Sequence, residues 1–314
     1  MSPDPISAEP MSTEPQNAEP ISTASETADD RGATRSVPAA VDWSWRTRLV
    51  DALSPIAARL GEGAPPRVDV DAFGLANHRR CPGFESEPFA WSARFARRTL
   101  GLEALTELPA VGYRPNRALD RAEAAQAGRS LGEWLAELPS GGACAVRAEA
   151  ATWLAAAVAT VGVGQVGKLA WESPPGRFEW KVPHSPLLVS ARLEGATADH
   201  RRATDLGLIR LLDGPLDVAV ERAEAGWLAV LHATRFGVEP TRVVVCDLRQ
   251  GRRRTHRVTP ALLDGGVAAI TTAATVAVGR SLGDAINLTP GRHCGYCARR
   301  AVCPQAQLAD PASG

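Results

Sequence analysis

The spacing of hydrophobic residues predicts helices over much of the chain. Trp45, Leu49, Leu53 and Ile56 recur every three or four residues, which is the repeat of an amphipathic helix. Turn-forming stretches such as the Gly- and Pro-rich residues 61–66 separate the helical segments. The segments predicted as helices are 43–60, 89–105, 121–138, 148–161, 217–235 and 260–282. The fourth segment is dominated by Ala, Val and Leu, and we expect it to be buried.

Short apolar runs between these helices predict β-strands. Residues 187–193 and 206–212 flank a polar turn, which is typical of a β-hairpin, and residues 241–248 form a further Val-rich run. Helices, then a hairpin, a helix, a strand and a final helix predict a mixed α/β domain. No shift in composition divides residues 41–314, so we expect them to form one domain.

The first 40 residues differ from the rest. They are acidic and rich in Pro, Ser, Thr and Glu, with near-repeats ending in Glu-Pro. Because they contain few apolar residues, their burial cannot offset the entropy lost on ordering. We expect a disordered tail over residues 1–40.

Composition and charge exclude few partners. Lys plus Arg and Asp plus Glu both number 35, so the chain has no global field that would attract nucleic acid or membrane. We identify no apolar run of about 18 residues that would span a bilayer, and no secretory signal pattern at the N-terminus. Six cysteines in 314 residues are too few for a disulfide scaffold. These observations predict a cytoplasmic protein with no membrane partner.

Three cysteines near the C-terminus indicate a metal centre. Cys294, Cys297 and Cys303 have the spacing C-x2-C-x5-C behind a Pro-Gly turn, and clustered thiolates favour soft metals. Zinc and iron–sulfur clusters usually require a fourth ligand. Cys246 lies in the Val-rich run and is expected to be a buried small side chain, whereas Cys144 remains a weaker candidate. Cys81 is the leading candidate, because Cys81-Pro82 repeats the Cys303-Pro304 pair at a predicted turn.

This arrangement, an early Cys-Pro and a terminal C-x2-C-x5-C, resembles the iron–sulfur branch of the PD-(D/E)XK (restriction-endonuclease-like) nuclease superfamily. The similar proteins are the RecB-like and AddB-type exonucleases and the CRISPR-associated RecB-like exonuclease. The resemblance covers roughly residues 68–310 and is strongest in the phrase Pro-Gly-Arg-His-Cys-Gly-Tyr-Cys at 290–297. It implies a PD-(D/E)XK core with a helical N-terminal part and a [4Fe-4S] cluster that links the two ends. The implied ligands are Cys81, Cys294, Cys297 and Cys303; the alternative is a zinc site with the same cysteines and His293.

The resemblance also implies that the catalytic positions are lost. The family uses an early histidine, two acidic residues on a hairpin and a lysine two places after the second acid; the acids bind the divalent metal that activates water. Here Glu194 takes the place of the first acid, but Arg210 stands at the second. Leu212 stands at the lysine position and Gly132 at the histidine position. An arginine repels a metal ion, so these positions predict an inactive site with Glu194 as its vestige.

Three other groups of residues are candidates for a catalytic or nucleic-acid-binding site. The triplet Glu179-Trp180-Lys181 has the acid-x-lysine form but lacks an upstream aspartate, and Asp199, His200 and Asp205 are read as a solvated turn. The densest basic run, residues 252–257, is predicted at a turn. It is either a solvated basic turn or a contact for phosphates through its four arginines, Arg252, Arg253, Arg254 and Arg257.

Together these expectations describe an inactive nuclease-like iron–sulfur protein that binds DNA, or acts as a scaffold beside a protein partner, in DNA processing or repair. One alternative is an active Mg- or Mn-dependent DNA exonuclease whose site is misassigned. The other is a zinc-stabilised interaction module that binds no nucleic acid.

Overall fold

A computed structural model describes most of the chain after residue 43. The described residues are 44–61, 65–72, 75, 81–85, 88–139, 141–166, 168–171, 177–197, 206–214 and 216–306. The predicted disordered tail and the turn with Asp199, His200 and Asp205 lie outside them.

Eight α-helices are present in this part of the chain. Several begin at residues that satisfy the free N–H groups of the first turn: the Asp217 carboxylate accepts from the N–H groups of Ala219 and Val220, and the Thr259 hydroxyl accepts from Leu262. The helices are α1 Ser44–Ala57, α2 Ala93–Glu107, α3 Pro115–Gln126, α4 Ser130–Glu137, α5 Gly142–Val161, α6 Val163–Val166, α7 Val218–Phe236 and α8 Pro260–Ser281.

Eight strands among the described residues form two mixed sheets. The strands are β1 Val68–Asp71, β2 Ala170–Trp171, β3 Arg177–Lys181, β4 Leu187–Arg192, β5 Gly195–Ala196, β6 Gly207–Leu212, β7 Arg242–Asp247 and β8 Arg252–Arg257. One sheet has the order β1-β4-β3 and the other β2-β5-β6-β7-β8. Strand β6 is antiparallel to β5 and parallel to β7, with α7 as the crossover between β6 and β7.

The two sheets meet where β4 runs through Leu193 and Glu194 into β5. The Glu194 N–H donates to the carbonyl of Ile209 on β6 at 3.2 Å. Both predicted strands are present, but the predicted hairpin was wrong: β4 pairs with β1 and β3, and only the short strand β5 beyond the corner is antiparallel to β6. This corner places the Glu194 side chain against the carboxyl-terminal half of β6.

Hydrophobic cores lie on both faces of β6 and β7. Leu208 and Leu212 point into a core shared with α1, α7 and α8. Ile209 and Leu211 point the other way, into a core shared with α2 to α6. The alternation follows from the two-residue repeat of a strand, and it explains why β6 is apolar on both faces apart from the buried Arg210. The prediction of a mixed α/β architecture is confirmed.

Three other local predictions were wrong. The single helix predicted over 121–138 is two helices, α3 and α4, because Gly128 has a φ of 71° that interrupts the helical path. The basic run at 252–257 is not a turn but strand β8, antiparallel to β7. Helix α5 is buried along one face and exposed along the other, rather than buried throughout. Strand β1, which is parallel to β4, was not predicted.

Helices α7 and α8 cross with their backbones in direct contact. A Cβ atom on Gly226 would lie 2.5 Å from the carbonyl oxygen of Leu262, and one on Gly266 would lie 2.3 Å from the carbonyl oxygen of Gly226. Neither position tolerates a side chain at this separation. The pair of glycines therefore sets how closely α7 and α8 pack beneath the sheet.

Two helices in the described part of the chain, α5 and α8, are long and apolar enough to cross a membrane by length and composition. Here each packs as a core helix, α5 against α2 and α8 against α7. Their apolar stretches are 33% and 50% buried in the fold.

Candidate functional site

The residues aligned with the two nuclease acids are in contact. The Glu194 carboxylate is 2% exposed and accepts from Arg210 Nη1 at 2.7 Å and from the backbone N–H of Leu211 at 2.9 Å. Arg98, from α2, donates to the same carboxylate through Nη2 at 2.6 Å. Glu194 thus already accepts three hydrogen bonds, two of them from guanidinium groups.

Arg210 occupies the centre of this site. It is 5% exposed, and its Nε donates to Glu224 of α7 at 2.6 Å. Burial by itself lowers the pKa of Arg210, but the charges of Glu194 and Glu224 more than offset this and raise the pKa above its ordinary value. The guanidinium therefore stays charged and occupies the space between two carboxylates that could otherwise share a cation.

Leu212 lies at the same site. It lines a cavity of about 390 Å³ that opens beside Arg210. Five arginines contribute to the lining, together with the carboxylates of Asp213 and Glu224. Asp213 accepts from the indole N–H of Trp153 at 2.6 Å and from Arg98 at 3.3 Å. The arginines in the lining are Arg94, Arg98, Arg192, Arg210 and Arg249.

The positive charges in this cavity are crowded. The pKa of Arg192 is lowered, first by burial and then by the neighbouring charges of Arg98 and Arg210, while Glu194 and Asp71 act in the opposite direction. Burial and like charge both penalise the protonated form of a guanidinium. The site that the resemblance assigns to metal-binding acids is lined by five arginines and only two carboxylates, those of Asp213 and Glu224.

Gly132, aligned with the family's histidine, is not in this cavity. It lies in α4, where a Cβ atom would be 2.2 Å from the carbonyl oxygen of Gln126. No residue of α4 is in the cavity lining. A histidine could not replace Gly132 without moving α3, and the side chain that reaches Glu194 from the helical layer is Arg98.

Arg98, Asp213 and Trp153 were not predicted as site residues. They come from two helices and the end of a strand, and no spacing rule relates them. One chemical signal was present in the sequence. Asp213 follows directly on the apolar strand β6, and a carboxylate at the end of a buried strand requires a cationic partner, because an unpaired buried charge is costly.

The two segments that contain the predicted cluster ligands are adjacent. The Ala298 N–H donates to the Glu85 carbonyl at 2.9 Å, and the Glu85 N–H donates to Cys297 Sγ at 3.5 Å. The ring of Phe84 packs edge-on against His293 and Tyr296, with ring centroids 6.3 and 5.7 Å apart. The fold therefore brings the Cys81 turn to the C-terminal segment across 212 residues of sequence.

The four predicted ligands differ in exposure. Cys81 is buried, and Cys294, Cys297 and Cys303 are half-buried. All four belong to the described residues, among which no three His, Cys, Asp or Glu side chains are grouped closely enough to hold a metal ion. The ligand set therefore stays a prediction.

The competing ligands have other surroundings. Cys144 is exposed on α5, and Cys246 is buried in β7, where burial raises the pKa of its thiol to about 11. His293, the alternative zinc ligand, contacts the Thr289 carbonyl through Nε2 at 3.0 Å. That hydrogen bond engages one of the two ring nitrogens.

The acid-x-lysine triplet lies away from the Glu194 site. Glu179 and Lys181 are on β3, and Glu179 is 3.4 Å from Arg67 near the surface. Neither residue is in the lining of the arginine cavity.

The basic run is divided between the two faces of strand β8. Arg254 and His256 both contact the Glu221 carboxylate of α7, at 2.9 and 2.8 Å. Arg253 lies on the opposite face, in the lining of a smaller cavity with Cys246. Arg252 donates to Gln250 at 3.2 Å, and Arg257 is exposed opposite Arg242. The four arginines therefore do not form one continuous surface.

In comparisons with known proteins, no protein-family model matches this chain, and no curated protein matches it in sequence.

Proposed function

We propose that this protein has a nuclease-like PD-(D/E)XK core that no longer cleaves DNA, and that it binds DNA or supports a DNA-processing assembly. The observation that carries the proposal is the contact between Glu194 and Arg210. Those positions were paired by resemblance alone, and the two side chains lie 2.7 Å apart. Gly195 pairs with Ile209, so Glu194 and Arg210 are neighbours across adjacent strands, as the two acids of the resemblance would be; in that register the arginine takes the place of the second acid.

The chemistry of this site supports binding without cleavage. Metal-assisted hydrolysis requires carboxylates that are free to coordinate a divalent cation and a group that stabilises the developing negative charge. Glu194 is engaged by two arginines, and Leu212 cannot donate a hydrogen bond. Guanidinium groups, in contrast, bind phosphate oxygens directly.

The cysteines support a [4Fe-4S] cluster as part of the proposal. The donor set consists of thiols alone, which suits iron–sulfur chemistry. The Glu85 N–H directed at Cys297 Sγ is the kind of contact that stabilises a cluster thiolate. Cys81, Cys294, Cys297 and Cys303 would hold the cluster, which would join the two segments and supply no step of catalysis.

Incubation with single-stranded or duplex DNA and Mg²⁺ or Mn²⁺ tests the proposal. The DNA should remain intact, and binding should weaken as salt rises, because phosphate contacts release counterions. Metal-dependent degradation that disappears in Glu194→Gln would show an active enzyme. Absence of salt-dependent binding to either form of DNA would leave the DNA-binding part of the proposal without support.

A further inference from the structure

The arginine-lined cavity has a charge-paired interior and a positive rim. Inside, Arg98 and Arg210 hydrogen-bond to Glu194, and Arg210 also bonds to Glu224. At the mouth, the Arg94 side chain is 68% exposed and forms an ion pair with Asp213 at 3.8 Å, a distance too long for a hydrogen bond, so its N–H groups stay open to a ligand. Two arginines near the opening therefore remain able to bind a ligand: Arg94 and the exposed Arg249, whose guanidinium has no hydrogen-bond partner among the described residues.

An aromatic cluster extends outward from the cavity lining: the rings of Phe95 and Trp91 are half-buried, and that of Phe89 is exposed. Phe95 lines the cavity, and its ring centroid is 5.6 Å from that of Phe89. Phe89 in turn packs edge-on against Trp91 at 5.0 Å. Phe89 is 66% exposed, which is unusual for a large apolar side chain that packs against other rings. Exposed aromatic faces beside basic groups are the arrangement on which nucleobases stack.

These two features suit one class of ligand. A guanidinium pair binds the oxygens of a phosphate group, and an aromatic ring within reach binds a planar base. The cavity volume, about 390 Å³, lies within the range of small-ligand sites. An inorganic anion would use only the arginines, and an apolar ligand would use only the rings.

We propose that the mouth of this cavity binds a nucleoside phosphate, with the phosphate held by Arg94 and Arg249 and the base stacked on Phe89, beside the lining residue Phe95. The ligand is either a free mononucleotide or the phosphorylated terminal nucleotide of a DNA strand. The site goes beyond the proposed function, because a nucleotide can bind here whether or not the protein binds longer DNA.

Binding of AMP, adenosine and inorganic phosphate to the purified full chain, measured by calorimetry, tests the site. AMP should bind at least tenfold more tightly than adenosine or phosphate, because it engages both the arginines and the aromatic rings. Arg94→Ala and Arg249→Ala should each weaken AMP binding about tenfold. Phe89→Ala should weaken it about fivefold or more. All three side chains are at the surface, so the variants should keep the wild-type circular dichroism spectrum.

Arg117→Ala is the matched control, since Arg117 is an exposed arginine of α3 outside the cavity lining, and it should bind AMP as the wild type does. A fluorescent DNA strand with and without a terminal phosphate distinguishes the two ligand sources. If the phosphorylated strand binds more tightly than the unphosphorylated one and AMP binds weakly, the ligand is the end of a DNA strand. If AMP binds tightly and the terminal phosphate has no effect on strand binding, the ligand is the free nucleotide.

Two outcomes would overturn the site: no binding of either phosphorylated ligand, or AMP and strand binding that Arg94→Ala and Arg249→Ala leave unchanged. The second result is compatible with DNA binding elsewhere on the protein. Conversely, AMP binding that depends on these arginines without any binding of DNA strands would contradict the DNA-binding part of the proposed function and keep the site.

Discussion

Arg210 links two buried carboxylates from different elements, so replacing it should lower the stability of the protein. Glu194 and Glu224 are 2% and 9% exposed, and each hydrogen-bonds to Arg210. The sequence supplied the pairing of Glu194 with Arg210, because both lie in strands whose register a resemblance could align. It could not supply Arg98 or Asp213, since their contribution depends on how α2 packs over the sheet.

Arg210→Met should destabilise the protein by about 3–5 kcal/mol, because it leaves buried carboxylates without their shared cation. Urea unfolding measures the change. Arg121→Met is the control: Arg121 pairs with Glu107 at the surface, where ion pairs contribute about 0–1 kcal/mol. Equal effects of the two substitutions would show that the buried network adds no special stability.

Glu103 predicts a pH dependence of stability. Burial raises the pKa of Glu103 from its ordinary value of 4.5, and the hydrogen bond from Gln126 and the charge of Arg129 only partly offset this. The folded state therefore holds the Glu103 proton more tightly than the unfolded chain does. Its contribution to stability is present below pH 4.5 and is lost as the pH rises through the raised pKa.

Glu103→Gln removes this titration, so the variant should gain stability relative to the wild type as the pH rises from about 4.5 to neutrality. Urea unfolding at a series of pH values measures the difference. A difference that stays constant across the series would contradict the assigned cause.

At the scale of elements, apolar periodicity predicted those helices and strands that bury one face. Helices α1, α7 and α8 and strands β6 and β7 lie close to their predicted bounds. Strand β8 was missed because Arg252–Arg257 contains no apolar residue; its extended form follows from hydrogen bonding to β7. Apolar periodicity arises from burial of one face, so an exposed edge strand such as β8 does not show it in the sequence.

The crossing of α7 and α8 gives a prediction for paired glycines. Gly226→Ala should destabilise the protein by about 1–3 kcal/mol, because its Cβ would meet the backbone of α8. Gly265→Ala, one residue before Gly266 but with open space around it, should stabilise α8 by about 0.5–1 kcal/mol. Thermal unfolding of the two variants measures both changes in stability. Destabilisation by both substitutions would argue against a specific contact between α7 and α8 at Gly226.

At the scale of the whole molecule, the order of elements predicted a mixed α/β domain, and the cysteine pattern predicted that its ends meet. The meeting of residues 81–85 with the C-terminal segment is present in backbone and ring contacts. The packing of helices on both faces of β6 and β7 was not predictable, because a strand that is apolar on both faces does not reveal which helix covers which side.

The cysteine prediction can be tested on the intact protein. Purified without oxygen, the protein should be brown and contain iron, and Cys81→Ser and Cys294→Ser should each remove the colour and lower the free energy of unfolding by about 3 kcal/mol or more. Cys144→Ser, at an exposed position, is the matched control and should change neither property. A colourless wild-type protein with one bound zinc would refute the cluster.

The backbone contact between Glu85 and Ala298 also has a consequence for synthesis of the chain. A ribosome releases the turn at 81–85 long before residues 292–298, so a nascent chain holds this turn with its final neighbours missing. A product stopped after α8 would leave the ring of Phe84 uncovered by His293 and Tyr296. Cellular proteases could therefore distinguish an interrupted translation product from a finished one at a site about 200 residues from the break.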